Sequence, residues 1–157
     1  MSVKSVDKDS SKLHPAFLPE WEKVQDSIIK YSLPFVIFEA YRSPERQTYL
    51  FEEGRSKLKG RQGAHTHGMA VDIILDTDGF TDLAGFSPWE TGVKGNQVVF
   101  PDVLAAWLYL GRVLHEEHPK IRWGGDWRKG RKIPLGWDPY HVELDGWASH
   151  ALAEQPH

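Results

Sequence analysis

The chain has 157 residues, 40% of them hydrophobic and 26% charged, the composition of an ordinary soluble globular protein. At this length one domain is expected, and folding can bury roughly 70% of the surface that the unfolded chain would expose, so no staple is needed merely to fold. With no cysteine, disulfides, thiolate zinc sites, iron–sulfur ligation and a cysteine nucleophile are excluded, and any metal ligand must be His, Asp or Glu. A formal net charge of -3 argues against a dedicated nucleic-acid binder. Basic residues nevertheless cluster at Arg42, Arg46, Arg55, Lys57, Lys59 and Arg61, and again at Arg128, Lys129, Arg131 and Lys132. Each cluster suits either an anionic partner or a solvated loop.

In chain order, residues 1–14 read as a loose polar arm without the apolar run of a secretory signal. Trp21, Val24, Ile28 and Tyr31 keep the helical period, which places a helix over about 19–31 with Pro19 and Glu20 in its first turn. Phe35 to Phe38 reads as a short buried strand ending near Ala40. Ser43, Pro44 and Glu45 form a helix start, and Gly54 a stop, for a second helix over about 44–53. A basic surface loop then leads to His65.

Residues 69–75 alternate as a strand, with Val71, Ile73 and Leu75 on one face and Ala70, Asp72 and Ile74 on the other. The stretch to Pro101 reads as loop, after which Asp102 caps a long core helix over about 102–117. Short strands are expected at about 121–123 and 140–144. No segment approaches the ~18 apolar residues of a membrane span. Interspersed helices and short hairpin-like strands give an α+β fold.

Two segments carry the chemistry. In His65-Thr66-His67-Gly68-Met69-Ala70-Val71-Asp72, an imidazole and a strand-borne carboxylate suit a zinc ion, although such a pair is more commonly a surface or hydrogen-bonded one. In Asp138-Pro139-Tyr140-His141-Val142-Glu143-Leu144, His141 can supply a third ligand. Three ligands and a water make an open catalytic zinc site, and Asp138 can move the proton of that water without being a ligand.

The pattern H-x-x-G-x-A-x-D at His65 to Asp72, followed by D-x-x-H at Asp138 to His141, resembles the zinc peptidases of the D-alanyl-D-alanine and L-alanyl-D-glutamate group, which includes vancomycin-resistance peptidases and bacteriophage endolysins. Tyr41-Arg42-Ser43, Trp123-Gly124-Gly125-Asp126-Trp127 and the ending His141-Val142-Glu143-Leu144 fit the same family, over roughly 34–145. The resemblance implies a hedgehog/DD-peptidase-like fold, a small antiparallel sheet with flanking helices. It implies Zn2+ held by His65, Asp72 and His141, with Asp138 as the catalytic carboxylate. The register anchored by Gly68 favours His65 over His67, and Gly63 stands where the family commonly has a small hydroxyl.

Arg42 suits stabilisation of a tetrahedral oxyanion, or alternatively a structural ion pair. Glu143 either holds a ligand imidazole in its tautomer, orients substrate or pairs across the strand. Trp137 is a candidate substrate wall, and Ser43, Arg46 and Tyr140 are further candidate substrate contacts. Asp126 reads as a turn residue bonding backbone, and His115 and His118 as surface residues near a helix end. The expected activity is hydrolysis of peptidoglycan stem peptides, at the L-Ala/D-Glu bond in the manner of an endolysin. D-Ala-D-Ala carboxypeptidase or dipeptidase activity, or a non-catalytic zinc domain, are the alternatives. A monomer made in the cytoplasm, with no stable membrane association, would need a holin-type partner to reach the wall.

Overall fold

A computed structural model describes residues 3–58, 60 and 62–153. Lys59 and Arg61, counted above in the basic loop, lie outside the described residues. In chain order the elements are α1 (Leu18–Lys30), β1 (Phe35–Glu39), α2 (Pro44–Glu52), β2 (Ala70–Leu75), β3 (Val93–Lys94), β4 (Gln97–Val98), α3 (Pro101–Glu117), β5 (Ile121–Trp123), β6 (His141–Leu144) and α4 (Trp147–Ala153). The main sheet is antiparallel with order β1-β2-β6-β5, and β3 and β4 form a separate hairpin. This is the expected α+β architecture.

Alternation along β2 divides the molecule. Val71, Ile73 and Leu75 are fully buried and join Trp21 and Val24 of α1 with Trp107, Leu110 and Leu114 of α3 in one core. The opposite face of β2 carries Asp72, which pairs in register with His141 of β6. Two residues far apart in sequence, on adjacent strands, are thereby brought side by side by the sheet itself. One residue of slip would send Asp72 into the core and a valine or isoleucine into the site.

Ser43 caps α2 by accepting the Arg46 backbone N–H at 3.0 Å, as its position before Pro44 dictates. Asp102 does not cap α3. Pro101 takes the first helical position, Phe100 precedes it without a side-chain cap, and Asp102 falls in the first turn, where its charge still favours the dipole. The arm over residues 3–14 is held rather than loose. Lys12 pairs with Asp7 at 2.6 Å, Asp7 O accepts from Ala40 N, and Leu13 is buried in the core. The hairpin β3–β4 lies where loop was expected, and α4 follows the last expected strand.

Candidate metal centre and active site

His65 sits on a 3-10 turn, Ala64–His67, that ends at Gly68 in the left-handed conformation (φ 69). A Cβ at Gly68 would lie 2.8 Å from His14 N, so only glycine fits both the conformation and the packing. This turn folds His65 back over β2, where its Nε2 is 3.2 Å from Asp72 Oδ1. His141 Nδ1 approaches the same oxygen at 3.7 Å, and the two imidazole rings are 5.1 Å apart. One ligand atom from each of His65, Asp72 and His141 lies within 4.8 Å of the other two.

The outer nitrogens are also occupied. Ala40 O faces His65 Nδ1 at 3.4 Å, and Glu143 Oε1 faces His141 Nε2 at 2.6 Å. An acceptor at the outer nitrogen holds the hydrogen there and leaves the inner nitrogen its lone pair, the arrangement a metal-binding histidine needs. Glu143 thus meets the first of its three expected roles by contact, and it is buried.

Charge explains the remaining balance. Burial works against an ionised Asp72, but the charges and hydrogen bonds of the two imidazoles outweigh it and hold its carboxyl well below the usual range. Burial lowers His65. Burial also opposes a charge on His141, but hydrogen bonds to Asp72 and Glu143 push its pKa up to about 9. Asp72 and Glu143 thus favour positive charge at His141, a demand that a divalent cation held by the group also meets. Two imidazole nitrogens and one carboxylate oxygen are the donor types zinc accepts, so the residues fit the metal that the motifs imply.

Asp138 stands at the rim of this group. Burial raises its pKa to about 6, with Asp72 and Glu143 adding to the rise and His141 and Arg42 opposing it. Its backbone is seated on the first glycine of the Trp-Gly-Gly-Asp-Trp segment: a Cβ at Gly124 would fall 2.0 Å from Asp138 O. Gly136 N donates to Gly125 O at 2.6 Å, closing the same layer. The segment matters to the site through its missing side chains.

No family model matches the sequence. A curated relative, the peptidoglycan L-alanyl-D-glutamate endopeptidase CwlK of Bacillus subtilis strain 168, is 27% identical over 141 residues, which cover 85% of this chain and 74% of the relative. The solved L-Ala D-Glu endopeptidase ChiX of Serratia marcescens matches with a TM-score of 0.54 at 22% identity, over 91% of this chain and 88% of its own. This chain has the fold of the zinc DD-peptidase and L-Ala-D-Glu endopeptidase group. The vancomycin-resistance D,D-pentapeptidase VanY, solved with Zn(II), matches with a TM-score of 0.50 at 16% identity, over 96% of this chain and 84% of its own. The fold that the sequence resemblance implied is the fold observed.

Within that fold Arg42 is heavily engaged. Its Nε and Nη2 donate to Glu39 Oε1 at 3.2 and 2.7 Å, Nη1 donates to Gln47 Oε1 at 2.9 Å, and Nη2 donates to Asp72 Oδ2 at 3.2 Å. Four of five guanidinium hydrogens are used, and the fifth, on Nη1, has no partner among the described residues. Arg42 is thus both an ion-pair residue and a fixed donor beside the cluster of His65, Asp72 and His141.

Arg46 is placed differently from expectation. It is buried, its Nε donates to Glu39 Oε2 and its Nη1 to Val3 O, so the guanidinium holds α2 and the arm together and is not open to substrate. Ser43 spends its oxygen as the α2 cap, and Tyr140 donates to Trp89 O at 2.5 Å while packing on Trp107. Trp137 is 58% exposed and leans on Trp127, which in turn packs on His141, so it does stand beside the site. His67 stacks on Trp147, outside the ligand group.

His118 departs from the sequence reading, whereas His115 lies at the surface near the end of α3 as expected. His118 is buried, 2.8 Å from Ser27 Oγ of α1, and His115 lies 2.8 Å from both carboxylate oxygens of Asp126, which therefore bonds a side chain and not a backbone turn. Glu39, 1% exposed, and Gln47 went unnoticed in the sequence. The available signals were an acid closing an apolar strand and a polar residue one turn of helix beyond the Ser43 cap.

Proposed function

We propose that the chain is a zinc-dependent peptidase that hydrolyses peptidoglycan stem peptides, with the L-alanyl-D-glutamate bond as its target. The single observation carrying this reading is the meeting of His65, Asp72 and His141 within 4.8 Å beside the protonatable Asp138. CwlK, a relative along most of the chain, supports the choice of bond.

His65 Nε2, an Asp72 oxygen and His141 Nδ1 would hold the metal. A zinc ion bound there supplies a Lewis acid that polarises the scissile carbonyl and lowers the pKa of water. Asp138, a carboxylate at neutral pH with a pKa near enough to exchange protons, takes the proton of the attacking water and returns it to the departing amine. Arg42 offers its free Nη1 hydrogen to the charge growing on the carbonyl oxygen, and its other four bonds keep the guanidinium from reorienting as that charge develops. Glu143 and Ala40 O fix the two imidazoles. Trp137 forms an exposed wall for the peptide.

An endolysin-type setting, with a monomer reaching the wall through a holin-type partner, is supported by the endolysin-like His141-Val142-Glu143-Leu144 motif. The deciding experiment is mass spectrometry of purified peptidoglycan digested with and without a chelator. New amino termini at D-Glu, absent with the chelator, are expected. Release of D-Ala alone would replace the endopeptidase with a carboxypeptidase, and no product with zinc-loaded protein would leave a non-catalytic zinc domain.

A further inference from the structure

Gln47 lies in α2, is 1% exposed, and spends its whole amide on three partners on either side of it in sequence. Its Oε1 accepts from Arg42 Nη1 at 2.9 Å. Its Nε2 donates to Ser56 Oγ at 2.8 Å and to Leu58 O at 2.7 Å. The orientation of the amide is forced, because Arg42 can only donate and Leu58 O can only accept. A carboxylate, which cannot donate, or an ammonium, which cannot accept, could not serve both ends at once.

Among the described residues, the segment so held has few other hydrogen-bond anchors. Ser56 Oγ also accepts from Leu58 N at 3.1 Å, and Arg55 N donates to Leu50 O at 2.8 Å, while Arg55, Lys57 and Leu58 are exposed. The amide is therefore the link between an exposed basic loop and the guanidinium that bonds Asp72.

We propose that Gln47 is a positioning residue which ties residues 55–58 to Arg42, so that the aim of the Arg42 guanidinium depends on how that loop is seated. The catalytic part of this inference rests on the reading of Arg42 as the oxyanion-stabilising group; the mechanical part does not. Glu39 fixes one edge of the guanidinium, and Gln47 fixes the Nη1 that carries the unused hydrogen. A loosened loop releases that Nη1, and a small misplacement of a transition-state donor costs rate and not substrate affinity.

The test uses Gln47→Met, close in volume, and Ser56→Ala, which removes one loop anchor at a partly exposed position and serves where the first variant folds poorly. Both are made in the wild-type chain and with Arg42→Lys. On a defined stem peptide, Gln47→Met is expected to lower kcat about 10-fold with KM within about twofold, and Ser56→Ala to lower it less. Neither is expected to lower kcat further once Arg42 is lysine, since residues acting as a unit are not additive.

A second readout needs no turnover: tryptic cleavage after Arg55 and Lys57, identified by mass. It should quicken in Gln47→Met, in Ser56→Ala and, by reciprocity, in Arg42→Lys. Unchanged cleavage in Arg42→Lys, multiplying kcat losses in the double variants, or a KM-only effect would each overturn the proposal. Wild-type protein that cuts no stem peptide would sink the proposed function, while the proteolysis arm would still decide the tie.

Discussion

Replacing Asp138 by Asn tests the proton-moving step without touching a ligand. The carboxyl is nearly isosteric with the amide, and its backbone seat on Gly124 is unaffected. Loss of a general acid–base group costs about 10²–10⁴ in rate, so kcat on a defined stem peptide should fall by that factor while bound zinc stays stoichiometric. The wild-type pH profile follows from the same group. Burial raises its pKa to about 6, so the active carboxylate prevails above that pH and is lost as pH falls. One pH unit below the midpoint, about one site in ten remains ionised and kcat drops about tenfold. A bound zinc ion moves this limb to lower pH, never higher.

Stability carries the opposite sign. The native state holds the Asp138 proton more tightly than the unfolded chain, so the metal-free protein loses stability as pH rises from about 4 to about 6. Asp138→Asn should therefore be the more stable metal-free protein at pH 7, by at most about 3 kcal/mol, and equal to wild type below pH 4. Steady-state kinetics, zinc analysis and denaturant unfolding check the three parts. Zinc lost together with activity would make Asp138 a ligand, and undiminished kcat would remove it from the mechanism.

Glu143→Gln keeps the hydrogen bond to His141 but removes the charge, and zinc affinity measured by chelator competition should weaken about 10–100-fold. Arg42→Lys keeps the charge but not the fork of donors, so kcat should fall about 10²-fold or more with KM little changed. Gly124→Ala would drive a Cβ to 2.0 Å from Asp138 O. The loop must then shift, and both the melting temperature and kcat should drop, with zinc content retained.

The parts of the fold that were legible are those with local causes. Period-3.6 apolar residues gave α1, a Ser-Pro start gave α2, and the alternation around Asp72 gave β2 and its two faces. Strands β3 and β4 have two residues each and so carry no periodicity to read. His118 looks like a surface residue until α1, 91 positions away, brings Ser27 against it. The arm is pinned by Ala40 and Gly68 through backbone bonds that no side-chain pattern announces.

The site divides in the same way. His65, Asp72 and His141 lie in two compact motifs, so the resemblance named together the three residues that the fold brings together. The network around Arg42 could not be read off the sequence, because Glu39, Gln47 and Asp72 converge only after β1, α2 and β2 have packed. Arg46 misled for the same reason: a basic residue on a polar helix looks available until a buried acid claims it.

The most direct measurement is zinc K-edge X-ray absorption on the wild-type chain, with zinc stoichiometry of His65→Ala, Asp72→Ala and His141→Ala beside it. One zinc per chain is expected, with two imidazoles at about 2.0–2.1 Å and light oxygen atoms completing the shell, and each variant should lose it. Zinc that stays bound in all three variants, or no stoichiometric zinc in the wild type, would contradict a metal centre built from these residues.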